Sequence, residues 1–329
     1  MACDQLLCEI VEWAFLLFTI WSVPVYIILL VTLVRYREKL NSAFFTIFIS
    51  VGVADIWLTV HKWVFTKIPK LFYYESIKDS VWAATLSHCG IWYIYFCQVF
   101  GVFLLTLNRF SVIVFTLHGQ TIWNKQLMTV CLVLQWTLPL PFAVPHFLPG
   151  FQSKFTDSLY PVFIDQYVHH IFFMIDMALE PCVLASSFVL MYAVMIVKMY
   201  KGKNEVVPTT GGHPLTNSQS VSARKARALA ERRADKRLTI LGLLLIVPYF
   251  IMCFTYICMY FDYIPAWVSN LFYYANDVFT CSNPFLLLAM SRTVRSCFVA
   301  VVTGSPERAA HSQPKQRNPA HALNKTRNV

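Results

Sequence analysis

Residues 13–34 read WAFLLFTIWSVPVYIILLVTLV, without one Lys, Arg, Asp or Glu. A helix needs about 20 mostly apolar residues to cross the hydrocarbon core of a bilayer, and this run supplies them. Its apolar residues are continuous instead of alternating, which excludes a strand of a membrane barrel. Outward from it lie six more runs: Asn41–Val60, Trp82–Phe110, Gln126–Leu148, His170–Val197, Leu238–Phe261 and Ile264–Met290. The fourth and sixth spans are as charge-free as the first. The second carries only Asp55, the seventh only Asp277, the fifth Asp176 and Glu180, and the third nothing before Arg109. The 329 residues are 57% hydrophobic and 13% charged, with mean hydropathy +0.54. Soluble domains run near 45–50% and about 25%. The expected fold is an all-α membrane protein, a bundle of seven transmembrane helices.

Orientation follows from the bases. Three lie at 35–39, two are Arg109 and Lys125, ten fall between Lys198 and Arg237, and seven come from Arg292 onward. Together these are 22 of the 27 Lys and Arg, all on one side of the spans. Lys62, Lys67, Lys70, Lys78 and Lys154 fall on the other. The positive-inside rule puts the N-terminus outside and the C-terminus in the cytosol. The net charge of +10 is therefore a topology signal, and no nucleic-acid partner is expected. Residues 1–12 form an outer N-terminus without a basic signal-peptide start, and 13–290 the membrane domain. Residues 61–81 and 149–169 are outer loops. Residues 201–223 are rich in Gly, Ser, Thr and Pro, and Val221–Arg237 has the composition of a helical extension of the sixth span. Residues 291–302 suit a short helix on the membrane surface, and 303–329 a disordered tail.

Most of the ten Cys lie inside apolar runs, where they act as small hydrophobes. There is no CxxC pair and no HExxH, so neither a metal nor a cofactor is expected. His61, His88, His146, His169 and His170 cluster near outer span ends without the i, i+4 pairing of a zinc site.

Several positions resemble landmarks of rhodopsin-like G-protein-coupled receptors. Leu107-Asn108-Arg109-Phe110 resembles their Asp-Arg-Tyr region, Val53-Ala54-Asp55 their buried Asp, Trp136 their fourth-span Trp, and Ser282-Asn283-Pro284 the start of their Asn-Pro-x-x-Tyr motif. The departures are Asn108 for the acid, Leu287 for the Tyr, Val247-Pro248 without a preceding Trp, and no Cys in the second outer loop. This mixture, with Asn41-Ser42-Ala43-Phe44-Phe45, Asn276-Asp277-Val278-Phe279 and Ser291-Arg292, resembles the nematode serpentine chemoreceptors of the Srg superfamily, closest to serpentine receptor class V. The resemblance covers about residues 10–300.

It implies a plasma-membrane chemosensory receptor, with sensory cilia a further expected location, a small-molecule ligand, lipid around the bundle, and a heterotrimeric G protein as partner. It implies no enzyme. Arg109, with Asn108, would couple to the G protein; the alternative is an Arg snorkelling at the interface. Asp55, Asn283, Ser282, Pro284 and Asp277 would form an inner polar network, though Asp277, nearly two turns outward of Asn283, suits the ligand cavity equally. Asp176 and Glu180, spaced i, i+4, share one helix face. Either they bind a basic or hydrogen-bonding ligand, or they partner nearby histidines or share a proton. Trp92, Tyr95 and Gln98 would line the cavity. Ile91 stands where amine receptors carry an Asp, and the seventh span has no Lys to hold retinal. Cys297 is either lipidated or a plain buried thiol. A channel or transporter using the four intramembrane carboxylates is the competing reading.

Overall fold

The computed structural model describes residues 2–40, 42–69, 72, 74–115, 119–156, 161–201, 237, 239–258 and 266–305. The Gly/Ser-rich loop, the basic stretch before the sixth span and the tail lie outside these residues, apart from their end positions.

Among the described residues, six helices are long and apolar enough to cross a bilayer: Ile10–Arg35, Ala43–Lys67, Val81–Val114, Lys125–Phe147, Gln166–Lys201 and Thr239–Cys258. A seventh, Ala266–Met290, is followed by Arg292–Val302, bent away by 103°. The first helix starts at Ala2 and runs unbroken into its span, so the segment set apart as residues 1–12 is helical from its second residue. Polar side chains fix where spans begin. Ser80, Asn124, Asp165 and Ser291 each accept a backbone N–H from the first turn of the helix that follows, satisfying donors that have no intrahelical partner.

The third span is the axis of the bundle. Tyr95, Gln98, Val102, Leu105 and Arg109 recur every three or four residues and are all buried, so one helix face points inward along most of its length. Leu29, Ile47, Phe48, Val51, Leu58, Phe188, Tyr249 and Phe279 pack around it, each at most 1% exposed. Side chains such as Trp21, Leu190 and Phe254 stay more than 60% exposed, as a surface solvated by lipid tails requires.

Between the fourth and fifth spans the chain forms a two-stranded antiparallel hairpin, β1 (Ser153–Phe155) and β2 (Pro161–Phe163), in the register Ser153↔Phe163. Sequence reading had given this segment only as a loop. Its alternate residues Ser153, Phe155 and Phe163 are buried, so one hairpin face packs against the helices.

Candidate functional site

Beneath the hairpin lies a cavity of about 300 Å³, at the small end of the range for ligand pockets. The first, second, third, fifth, sixth and seventh spans all contribute wall residues, and β2 closes one side with Pro161, Val162 and Phe163. Most of the wall is aromatic. The Trp92 ring meets Phe172 edge-on, with centroids 5.7 Å apart, an arrangement favoured by the ring quadrupoles.

Two lysines enter this cavity that sequence reading had left in the outer loop. The second span stays helical past Val60: the α-helix continues to Lys62 and passes into a π-helical turn, Trp63–Lys67. Residues five apart are neighbours in a π-helix, so Lys67 falls on the same face as Lys62. Both meet Asp277 of the seventh span, the Lys62 ammonium donating to Oδ1 at 3.0 Å and the Lys67 ammonium to Oδ2 at 2.6 Å. Lys62 also donates to the Asn276 side-chain carbonyl. Of the two places open to Asp277, the inner network and the ligand cavity, the structure has it on the cavity wall. A signal was available. Asp55 and Asn283 pair across the same antiparallel helices, and one step of seven residues along each, about two turns, reaches Lys62 and Asn276.

The fifth span brings its two acids inward. It is α-helical over Gln166–Met177, π-helical over Ala178–Ala185 and α-helical again from Ser186. Pro181, inside the π segment, has no N–H to give to the regular ladder. Asp176, 5% exposed, lines the cavity beside the Tyr256 hydroxyl that hydrogen-bonds it. Its Oδ1 is buried with no hydrogen-bond partner among the described residues. Glu180, 1% exposed, lies one layer behind: Tyr95, itself on the wall, donates to its Oε2 at 2.9 Å. The partners of these carboxylates are tyrosines, not the neighbouring histidines.

The hairpin is tied down without a disulfide. The Ser153 hydroxyl lies 2.7 Å from His88 Nδ1, and the Ser153 backbone N–H donates to Thr85 Oγ1 at 3.1 Å. Phe163 covers His88, His146 and Phe172, with ring centroids 4.5, 4.9 and 4.9 Å away. A buried hydrogen bond contributes about 1 kcal/mol net. Ser153→Ala should therefore raise amide exchange in residues 151–164 by roughly fivefold while the third span stays protected. Unchanged exchange in the hairpin would show that Ser153 is not its tether.

Deeper in the bundle, Asp55 is fully buried and accepts three bonds: from Tyr26 at 2.5 Å, from Gln98 at 2.6 Å and from Asn283 at 2.5 Å. Gln98 also donates to Thr280 Oγ1. Gln98, expected in the cavity, is a member of this inner network. Ser282 is half-buried and does not bond Asp55, and Pro284 sits inside the seventh helix, one residue past Asn283. Tyr26 was missed, because one hydroxyl in an apolar span carries no charge signal.

At the opposite end from the cavity, Arg109 is only 8% exposed, its guanidinium carbon 4.2 Å from the Phe44 ring centroid. That is a cation–π contact within the bundle, not a side chain snorkelling to the interface. Asn108 is 2% exposed. On the final helix Val294, Cys297 and Ala300 form the buried stripe, and Cys297 is 0% exposed. The lipidation expectation gives way here to the plain buried thiol, since the sulfur points into the bundle and away from lipid.

Residues 15–303 match the family described as serpentine type 7TM GPCR chemoreceptor Srv. The chain is 23% identical over 270 residues to serpentine receptor class V-1 of Caenorhabditis elegans, covering 80% of each protein. It is 26% identical over 155 residues to the G-protein coupled receptor homolog US27 of human cytomegalovirus (strain AD169), covering 44% of this chain and 41% of that one.

Proposed function

Since the chain belongs to the serpentine Srv chemoreceptor family, we propose that its cavity binds a small ligand and that its Arg109 end signals to a cytoplasmic heterotrimeric G protein. The receptor would lie in the plasma membrane with its cavity facing outside and Arg109 facing the cytosol, an orientation that the distribution of bases supports. The observation that carries this reading is the third span. One inward face places Tyr95 at the cavity, Gln98 on the Asp55 hub and Arg109 at the far end. A ligand touching Trp92, Tyr95 and Asp176 thereby acts on the helix that holds Arg109. It shifts the equilibrium between arrangements only by its difference in affinity for them.

Pro284 supports a movable element next to Asn283. Proline removes an intrahelical bond and permits a kink, and the Asp55 hub lies where such a kink would be sensed. A conduction path is less well served. Asp55 and Asp277 are held in separate clusters, each by several donors.

The test is G-protein activation in cells expressing the chain, basal and stimulated by an odorant panel, with surface levels matched. Arg109→Ala should lower both signals to the level of untransfected cells, while Trp92→Ala, on the cavity wall, should reduce the stimulated signal alone. A basal signal that survives Arg109→Ala would overturn the coupling role.

A further inference from the structure

The Lys62–Lys67–Asp277 cluster brings two cations to one carboxylate, and both ammonium groups reach the cavity wall. One cation suffices to neutralise Asp277. The second leaves a positive charge uncompensated within the cluster, although both lysine side chains are largely buried. Asn276, the remaining partner of Lys62, is neutral. Glu12 also lines the wall and is not the acid of either ion pair. The Lys67 ammonium carries three N–H groups and, among the described residues, donates one, to Asp277, which leaves donors for the cavity that Lys67 lines. Around this cationic pole the wall is aromatic, with Phe272 and Tyr273 from the seventh span and Trp92 and Phe172 opposite.

From this juxtaposition we propose that Lys67, with Lys62 behind it, is the anion subsite of the cavity, and that the ligand is a small aromatic or apolar molecule bearing a carboxylate. An entering carboxylate supplies the charge that Asp277 alone does not, and Lys67 meets it in a desolvated, charge-assisted hydrogen bond. The ring stacks on the aromatic wall. Asp176 lines the same cavity, and its buried Oδ1 has no hydrogen-bond partner among the described residues, so it is the acceptor for any hydroxyl or amino group the same molecule carries. The cavity of about 300 Å³ limits the ligand to roughly the size of a substituted phenyl acid.

The inference rests on the reading of the cavity as the ligand site, and its test is kept free of signalling. The full chain, in lipid nanodiscs without G protein, is titrated with phenylacetate, phenethylamine, phenethyl alcohol and phenylalanine at millimolar concentration, and thermal unfolding is followed. Phenylacetate and phenylalanine should raise the unfolding temperature, phenethyl alcohol should leave it where it was, and phenethylamine should act only through Asp176. In Lys67→Gln the apparent affinity for phenylacetate should fall at least tenfold, and Lys67→Arg should restore most of it. Asp176→Asn should spare phenylacetate and weaken phenethylamine. Stabilisation by phenylacetate that persists in Lys67→Gln, or no stabilisation by either carboxylate in the unaltered protein, overturns the proposal. Because the readout needs no partner, loss of G-protein activation would overturn the receptor reading and leave this result standing.

Discussion

Asp277→Ala is expected to lower stability by about 3–5 kcal/mol, because removing one partner of a buried ion pair leaves an uncompensated charge. Here it leaves two. Lys62 and Lys67 have 10% and 21% of their side-chain surface exposed, too little for water to replace the carboxylate. The measurements are the fraction of protein reaching the cell surface and the unfolding temperature of the purified chain; both should fall. Combining Asp277→Ala with Lys62→Met and Lys67→Met should recover much of the loss, since apolar residues of similar volume often replace a buried ion cluster without penalty. An Asp277→Ala protein as stable as the unaltered one would show that the three charges do not act as a unit.

Asp55→Ala should have an effect of similar size for a different reason. Tyr26, Asn283 and one N–H of Gln98, whose amide keeps Thr280 as a second acceptor, would be left buried without an acceptor, at about 1–3 kcal/mol each. The sum is an upper bound, because network members do not add independently. Asp55→Asn keeps the shape and one acceptor oxygen but turns an NH2 group toward at least one of those donors, so an intermediate loss is expected. Unfolding temperature separates the three proteins. Equal stability of Asp55→Ala and the unaltered chain would mean that the hub is dispensable. If Asp55→Asn is stable but gives altered basal G-protein activation, the hub acts on the balance of states as well as on the fold.

Much of this was legible in the residues. Uncharged runs near 20 residues can only be buried in protein or lipid, and seven of them in one chain leave little choice of architecture. The pairing of Asp55 with Asn283 was readable from the resemblance to rhodopsin-like receptors, which implies facing positions for the two, and in the structure they are hydrogen-bonded. Helical spacing put Asp176 and Glu180 on one face, the cost of a carboxylate against lipid turned that face toward bundle or water, and in the structure both are buried. Other assignments went astray at one kind of position. Lys62 and Lys67 follow the end of an apolar run, where hydropathy marks a boundary and says nothing about direction. A charged residue there reads as solvated unless its helix is known to continue and turn inward. Cys297 offered no direction either, until the final helix was seen to bury the stripe Val294, Cys297 and Ala300.

The sequence by itself determined the number of spans, their apolar lengths and the pairs of polar residues that lipid would not tolerate apart. The physical reason is that transfer free energy is local, summed residue by residue along one helix. Only the tertiary structure decided depth and facing across helices. Packing of the second, third and seventh spans set Gln98 level with Asp55 and Asp277 level with Lys62, which no single span's periodicity contains. The π turn at Trp63–Lys67 then rotated Lys67 onto the face of Lys62, and the two charges became part of the cavity wall.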